Sequence, residues 1–145
     1  MTQEPRKLEE LSPRESMRLL GTVPLGRVAF TARALPAIRP VNHLIDGDYI
    51  IIRTDAAAAI TTTLKSEPGS VIVAYQADLI DYADHLGWSV TVVGVAHRVI
   101  DPDEAAPYRR ALRPWVAGEK DQVIAIHAEL VTGFRLVPDQ QNGEE

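Results

Sequence analysis

Apolar residues recur at two different periods along the chain, and the switch between them marks out its elements. Near the start, Met17, Leu19 and Leu20 follow Ser12-Pro13-Arg14-Glu15. That order predicts a short helix, with Ser12 as N-cap, Pro13 at the first helical position and Glu15 closing a capping box. Gly21 is its stop. From Gly26 the period drops to two. Arg27 to Thr31 alternates, and Ala37 to Leu44 reads as a second strand. Pro40 cannot donate to a ladder, so that strand is expected to lie at an edge or a bulge there. Asp46-Gly47 marks a hairpin turn, and Tyr49 to Arg53 is the return strand.

Ala56 to Lys65 leans towards helix through four alanines, while Thr61-Thr62-Thr63 weaken it. Pro68-Gly69 ends it. Ser70 to Ala77 is a strand of β-branched residues, and Asp78 to Gly87 reads as an acidic loop. Trp88 to Ile100 is a long strand in which Gly94 suggests a bend or a close backbone approach. Both of its faces are largely apolar near the middle, which predicts a core on one side and a cover on the other. Asp101-Pro102-Asp103-Glu104 is a second capping box, opening a helix to about Leu112. Val123 to Leu130 and Val131 to Val137 are the last two extended segments. Six or seven mostly sequential strands with two or three short helices predict a mainly β chain. The architecture expected is a small antiparallel barrel with peripheral helices.

The length of 145 residues fits one domain over residues 1–145, with polar ends at 1–10 and 138–145 expected to be flexible. A hydrophobic fraction of 46% excludes a disordered chain. No apolar run is long enough to cross a membrane, and the polar start lacks the apolar region of a secretory signal. A cytoplasmic location away from membranes is therefore expected. The absence of cysteine excludes disulfides, thiolate zinc sites, iron–sulfur clusters and a cysteine nucleophile. A net charge of -5 argues against nucleic acid as partner. His43, His85, His97 and His127 show no metal-ligand spacing, so no metal site is expected. No nucleophile elbow or glycine-rich phosphate loop is present.

One cluster carries chemistry. Arg53-Thr54 closes a strand just before a helical stretch with Thr61, Thr62, Thr63 and Lys65. A guanidinium fork, hydroxyls and helix amides suit a phosphomonoester, although such a pair is more often an ordinary surface feature.

Several segments, taken in order, resemble a known family. They are Arg39-Pro40-Val41-Asn42-His43, then Asp46 through Tyr49 to Arg53-Thr54, then Gly87-Trp88-Ser89-Val90. Pro114-Trp115-Val116-Ala117-Gly118 and Val131-Thr132-Gly133-Phe134-Arg135 follow. The pattern is similar to the flavin-binding split-barrel superfamily of pyridoxamine 5'-phosphate oxidase, in the branch that includes nitroimidazole-resistance-type proteins. The resemblance implies an antiparallel split β-barrel, a homodimer and an FMN-dependent oxidoreductase acting on a small molecule. It implies that Arg39, Pro40, Val41 and Asn42 present groups to the flavin ring, and that Arg53 and Thr54 contact the ribityl phosphate. Trp88 and Ser89 would lie near the cofactor, in a cleft between two subunits. His43 and Trp115 are further candidates near the ring, with Trp115 open between stacking and filling an interface. No catalytic side chain is assigned, since flavin chemistry often needs none.

The chain departs from this pattern after Arg53-Thr54. Relatives carry a phosphate-binding lysine where Ala56-Ala57-Ala58-Ala59 stands here, and Lys65 lies about six residues further on. Losing that contact would weaken FMN binding by roughly ten- to a hundredfold. Two alternatives therefore stay open: a ligand-binding split barrel with weak or lost flavin binding, and a reductase using a deazaflavin. FAD is the remaining cofactor alternative. Pyridoxamine phosphate oxidation is not expected as the main activity, because basic residues for a second phosphate are few.

Overall fold

The computed structural model describes residues 5–54, 60, 71–113 and 122–139. Among them are seven strands: β1 (Arg6–Leu11), β2 (Leu25–Ala32), β3 (Leu35–Asp46), β4 (Tyr49–Thr54), β5 (Val71–Ile80), β6 (Gly87–Arg98) and β7 (Gln122–Pro138). Two helices accompany them, α1 (Pro13–Leu20) and α2 (Pro102–Ala111). The strands are joined in the order β1-β7-β4-β3-β2-β5-β6, and β6 pairs back onto β7. Six strands thus close an antiparallel ring, and β1 adds to the outer half of β7. This is the barrel with peripheral helices that the apolar pattern predicts.

The inward residues of the alternating strands make the core. Val28, Ile50, Ile52, Tyr75, Val90, Val92, Ile124 and Ile126 are all fully buried. Trp88 lines the same interior. A second, smaller core lies outside the ring, where Ala105 of α2 and Leu112 just after it cover Ile51, Val123 and Ala125. In this way α2 shields the outer face of β4 and the first half of β7.

Both described helices start as expected. Ser12 Oγ accepts from the Glu15 N–H at 3.1 Å, and Asp101 Oδ1 accepts from the Asp103 N–H at 2.9 Å. The first capping box is only half formed, because the Glu15 carboxylate turns to Arg18 instead of the Ser12 N–H. A charged donor one turn along outcompetes a neutral amide.

Three boundaries differ from the sequence reading. Within the end at 1–10 expected to be flexible, a strand begins at Arg6 and runs to Leu11, paired with Gly133–Pro138. Its polar side chains are mostly exposed, so no alternation reveals it, and its partner lies at the other end of the chain. Asp78–Ile80, expected in a loop, continue β5 opposite Gly87–Ser89, which leaves Asp81 to Leu86 as the turn. The two last segments are one strand, β7, whose apolar outer residues conceal no break. The helix-leaning stretch from Ala56 to Lys65 lies outside the described residues apart from Ile60, which is buried in the core.

The long strand β6 has one buried face and one open face. Trp88, Val90, Val92 and Ala96 point inward. On the outside, strand registers align Ile38, Ala29, Ala74, Val93 and Leu130 in one row across five strands. Ile38 and Leu130 at the ends of this row are 60% and 64% exposed. The row is apolar and uncovered in a single chain.

Candidate functional site

The first group of site residues sits where the barrel is split. From Leu35 to Asn42, β3 pairs with β2, while only His43–Asp46 pair with β4 on the opposite edge. The second edge of β3 from Leu35 to Asn42 therefore has no strand partner among the described residues. Arg39 and Pro40 are exposed, Asn42 is half-buried and Val41 is buried. Pro40 lies opposite Arg27 at this open edge, the position a residue without an N–H tolerates.

Continuing the β3–β4 register by one step sets Asn42 beside Arg53. Both grip the C-terminal end of α2. Asn42 Nδ2 donates to the Arg113 carbonyl at 2.6 Å, and Arg53 Nη1 donates to the carbonyls of Arg109 and Leu112 at 2.9 and 2.8 Å. A helix end leaves such carbonyls without intrahelical partners and carries partial negative charge, so an amide and a guanidinium are suitable donors there. Thr54 next to Arg53 is buried and pairs with Gln122. Lys65, Trp115 and the alanine run Ala56–Ala59 lie outside the described residues.

Trp88 and Ser89 are elsewhere. Trp88 is buried inside the barrel, and Ser89 Oγ accepts from Gln76 Nε2 at 3.2 Å, which also donates to Asp78 at 2.9 Å. Arg53 pairs with Val123 and Trp88 with Arg135. The twelve positions between those partners correspond to roughly 40 Å of strand. The two motifs therefore lie far apart along β7 within one chain.

His43 faces inward. Its Nδ1 accepts from the Tyr75 hydroxyl at 2.5 Å and its Nε2 donates to the Leu20 carbonyl at 2.8 Å. This arrangement requires the neutral Nε2–H tautomer, an assignment made from its partners. Burial holds the His43 pKa below the ordinary imidazole value, against the opposing effect of backbone hydrogen bonds. The Tyr75 hydroxyl is pushed upward by burial. Both ring nitrogens of His43 are thus committed within the core.

His97 and His127, on separate strands, both come within ring contact of Tyr49. The ring centroids lie 6.2 Å and 5.0 Å from that of Tyr49. His127 Nδ1 is hydrogen-bonded to the Glu129 carboxylate. Among the described residues no group of three or more histidine or carboxylate side chains is placed to hold a metal ion. No helix among them is long and apolar enough to cross a membrane.

The residues that receive Asn42 and Arg53 were not legible beforehand. They act through backbone carbonyls 56 to 71 positions away, which no side-chain motif announces. The same holds for Tyr75, whose hydroxyl orients His43 across 32 positions.

The family model described as Pyridoxamine 5'-phosphate oxidase matches residues 12–144. The chain belongs to this family. It is similar to the uncharacterized protein Rv0080 of Mycobacterium tuberculosis, with 47% identity covering 96% of this chain and 92% of that protein. Among solved structures, an FAD binding protein from Mycobacterium smegmatis is 33% identical with a TM-score of 0.69, covering 88% of this chain and 97% of the other. A Bacteroides thetaiotaomicron protein named for 5-nitroimidazole antibiotic resistance shares the fold at 12% identity and a TM-score of 0.66. The match covers 92% of this chain and 90% of that one. Family membership agrees with the resemblance drawn from the motifs and with the antiparallel split barrel they imply.

Proposed function

We propose that the protein is a flavin-dependent oxidoreductase that binds FMN between two copies of the chain and acts on a small molecule. The observation that carries this reading is the open edge of β3 beside Asn42 and Arg53, in a family where a relative at 33% identity binds FAD. The donor set fits a flavin. Backbone groups along an unpaired edge suit the nitrogens and carbonyls of the ring, and a guanidinium held by two carbonyls suits a phosphate. FMN is preferred over FAD because it presents one phosphate, and the chain carries a net charge of -5.

A bound flavin supplies hydride or electron transfer. The chain's part is to hold and shield it. Asn42 and Arg53, fixed by the end of α2, supply donors at one end. The β3 edge from Arg39 to Val41 supplies backbone contacts, and burial of the cleft by a second copy excludes water.

Titration of purified protein with FMN, FAD and a deazaflavin tests the assignment. FMN should bind most tightly and develop the yellow colour of a bound flavin. Arg53→Ala should weaken FMN binding by roughly ten- to a hundredfold, the effect of deleting a charge-assisted hydrogen bond. Arg53 also holds α2, so Arg53→Lys is compared: it keeps the cation without the fork, and should recover part of the loss. Ala59→Lys, restoring the lysine that relatives carry, should tighten binding. Unchanged affinity in all three variants places the phosphate elsewhere, and no binding of any flavin sinks the reading. The alanine run at Ala56–Ala59 supports a second reading, a split barrel that binds a ligand without turnover. Bound flavin that no reductant turns over selects it.

The homodimer rests on two observations. Trp88–Ser89 and Arg53–Thr54, which the resemblance sets at one cofactor, lie far apart along β7 in one chain, and the outer row from Ile38 to Leu130 is apolar and uncovered. Such a row on a soluble barrel favours a self-complementary partner. Sedimentation at micromolar concentration should show a dimer, and Val93→Glu in the middle of the row should yield a folded monomer. A monomeric wild type contradicts this.

A further inference from the structure

We propose that the recess between α2 and the start of β4, walled by Tyr49 and Tyr108 and rimmed by Asp46 and Glu104, is a binding site for a small organic cation of the alkylammonium class. The recess encloses about 410 Å³. That lies in the range of sites for small ligands. It uses the opposite end of β4 from Arg53, so it stands whether or not a flavin binds.

The lining is matched to a cation with an apolar body. Its floor is Ile51 and Ala125, at the edge of the second core. Two carboxylates stand at the rim, and no lysine or arginine is among the described lining residues. Two tyrosine rings and the His97 ring supply aromatic surface, whose negative faces attract ammonium groups. The walls are held in place. Tyr108 donates to Asp46 Oδ2 at 2.7 Å, which ties α2 to the β3–β4 turn and leaves the second carboxylate oxygen available. Tyr49 packs edge-on to His97 and tilted against His127, and His127 is itself anchored on Glu129.

A small inorganic cation fits poorly. It would have to exchange its water shell for several oxygen ligands, and no cluster of three or more ligating side chains exists among the described residues. An alkylammonium loses less hydration and gains contact with the aromatic walls and the apolar floor. The motifs Asp46-Gly47-Asp48-Tyr49 and Glu104 to Tyr108 are 58 or so residues apart in the chain, which is why only the folded protein shows them as one site.

The test is a titration of the full-length protein with choline chloride, followed by amide shifts at residues 46–49 and 104–108. The controls are 3,3-dimethylbutan-1-ol, a neutral molecule of the same shape, and sodium chloride. Choline should saturate in the millimolar range or below, the alcohol should bind at least tenfold more weakly, and sodium should leave the shifts unmoved. Asp46→Asn keeps an acceptor for Tyr108 and Tyr49→Leu keeps the bulk. Each should weaken choline at least fivefold with an otherwise unchanged amide spectrum. Phosphatidylcholine vesicles distinguish a lipid headgroup from a free cation: cosedimentation lost in Asp46→Asn assigns the headgroup, and none assigns the free molecule. Equal binding of choline and the alcohol overturns the proposal. So does a lack of saturation up to about 20 mM choline, which leaves a free energy too small for a built site, or wild-type affinity in both variants.

Discussion

Gly94→Ala is expected to lower the midpoint of thermal unfolding by about 10 °C, the shift that a loss of about 3 kcal/mol produces in a domain of this size. The reason lies where the ring closes. Val93 pairs with Leu130 and Gly94 with Ala128, so Glu129 is an extra residue and β7 bulges. At that bulge the β7 backbone presses onto β6, and a methyl group on residue 94 would overlap the His127 carbonyl oxygen. A carbonyl in a strand ladder cannot swing aside like the end of a flexible side chain. The bulge must therefore shift, and the pairs on either side of it weaken. Val93→Ala, one residue away on the outer face, removes apolar surface without any overlap and should cost much less in a monomeric background. A Gly94→Ala midpoint within about 2 °C of wild type, less than 1 kcal/mol, means that the bulge absorbs a side chain and the seam is not tight.

This glycine was legible in the sequence as an anomaly within a β-branched run, and so were most of the elements. Alternation marks β2, the Asp46-Gly47 turn signal marks the β3–β4 hairpin, and apolar β-branched runs mark β4 and β6, because these patterns are local. Ser12-Pro13 and Asp101-Pro102 mark the two described helices, because capping chemistry is local. What failed was of another kind. Residues Arg6–Leu11 have no apolar face to bury and become a strand only because the outer half of β7 offers them an edge. Asp78–Ile80 read as a loop by composition, yet Asp78 faces Ser89 across the ladder and shares Gln76 as a donor. Partners more than about ten residues away leave no trace in a local pattern.

The candidate site divides along the same line. Arg53-Thr54 at a strand end and Pro40 within a strand are visible in sequence, and the structure puts them on the split edge and beside it. Their neighbourhood is not visible. The carbonyls that hold Arg53 belong to a helix that is read only by its cap, and the closeness of Asn42 to Arg53 depends on hairpin register. Trp88 and His43 show the opposite case. The family resemblance sets Trp88 near the cofactor and makes His43 a candidate near the ring, and the fold turns both side chains into the barrel interior. For Trp88 the alternation of β6 fixes the inward face. For His43 the decisive fact is Tyr75, whose hydroxyl is available only because Gly26 leaves room for its ring.

That buried pair should make the protein sensitive to mild acid. His43 keeps a pKa below the ordinary 6.5 in the folded state, because burial disfavours the imidazolium. The unfolded chain takes up its proton as the pH falls through 6.5, while the native state does not until a lower pH. The unfolded state then binds more protons, so stability is full above 6.5 and falls below it. The loss is as much as about 1.4 kcal/mol per pH unit, until native His43 itself titrates. Urea midpoints measured at about pH 7.5 and 5.5 should show this loss in the wild type. His43→Gln can still accept from Tyr75 and donate to Leu20, and it should abolish most of the pH dependence. His85, His97 and His127 are common to both proteins and cancel in the comparison. His43→Ala should cost about 3 kcal/mol or more at either pH, since it leaves a cavity and strands both the Tyr75 hydroxyl and the Leu20 carbonyl without partners. Should the wild type and His43→Gln lose the same stability between the two pH values, the imidazole is not held neutral by the core, and its pairing with Tyr75 must be looser than the 2.5 Å contact indicates.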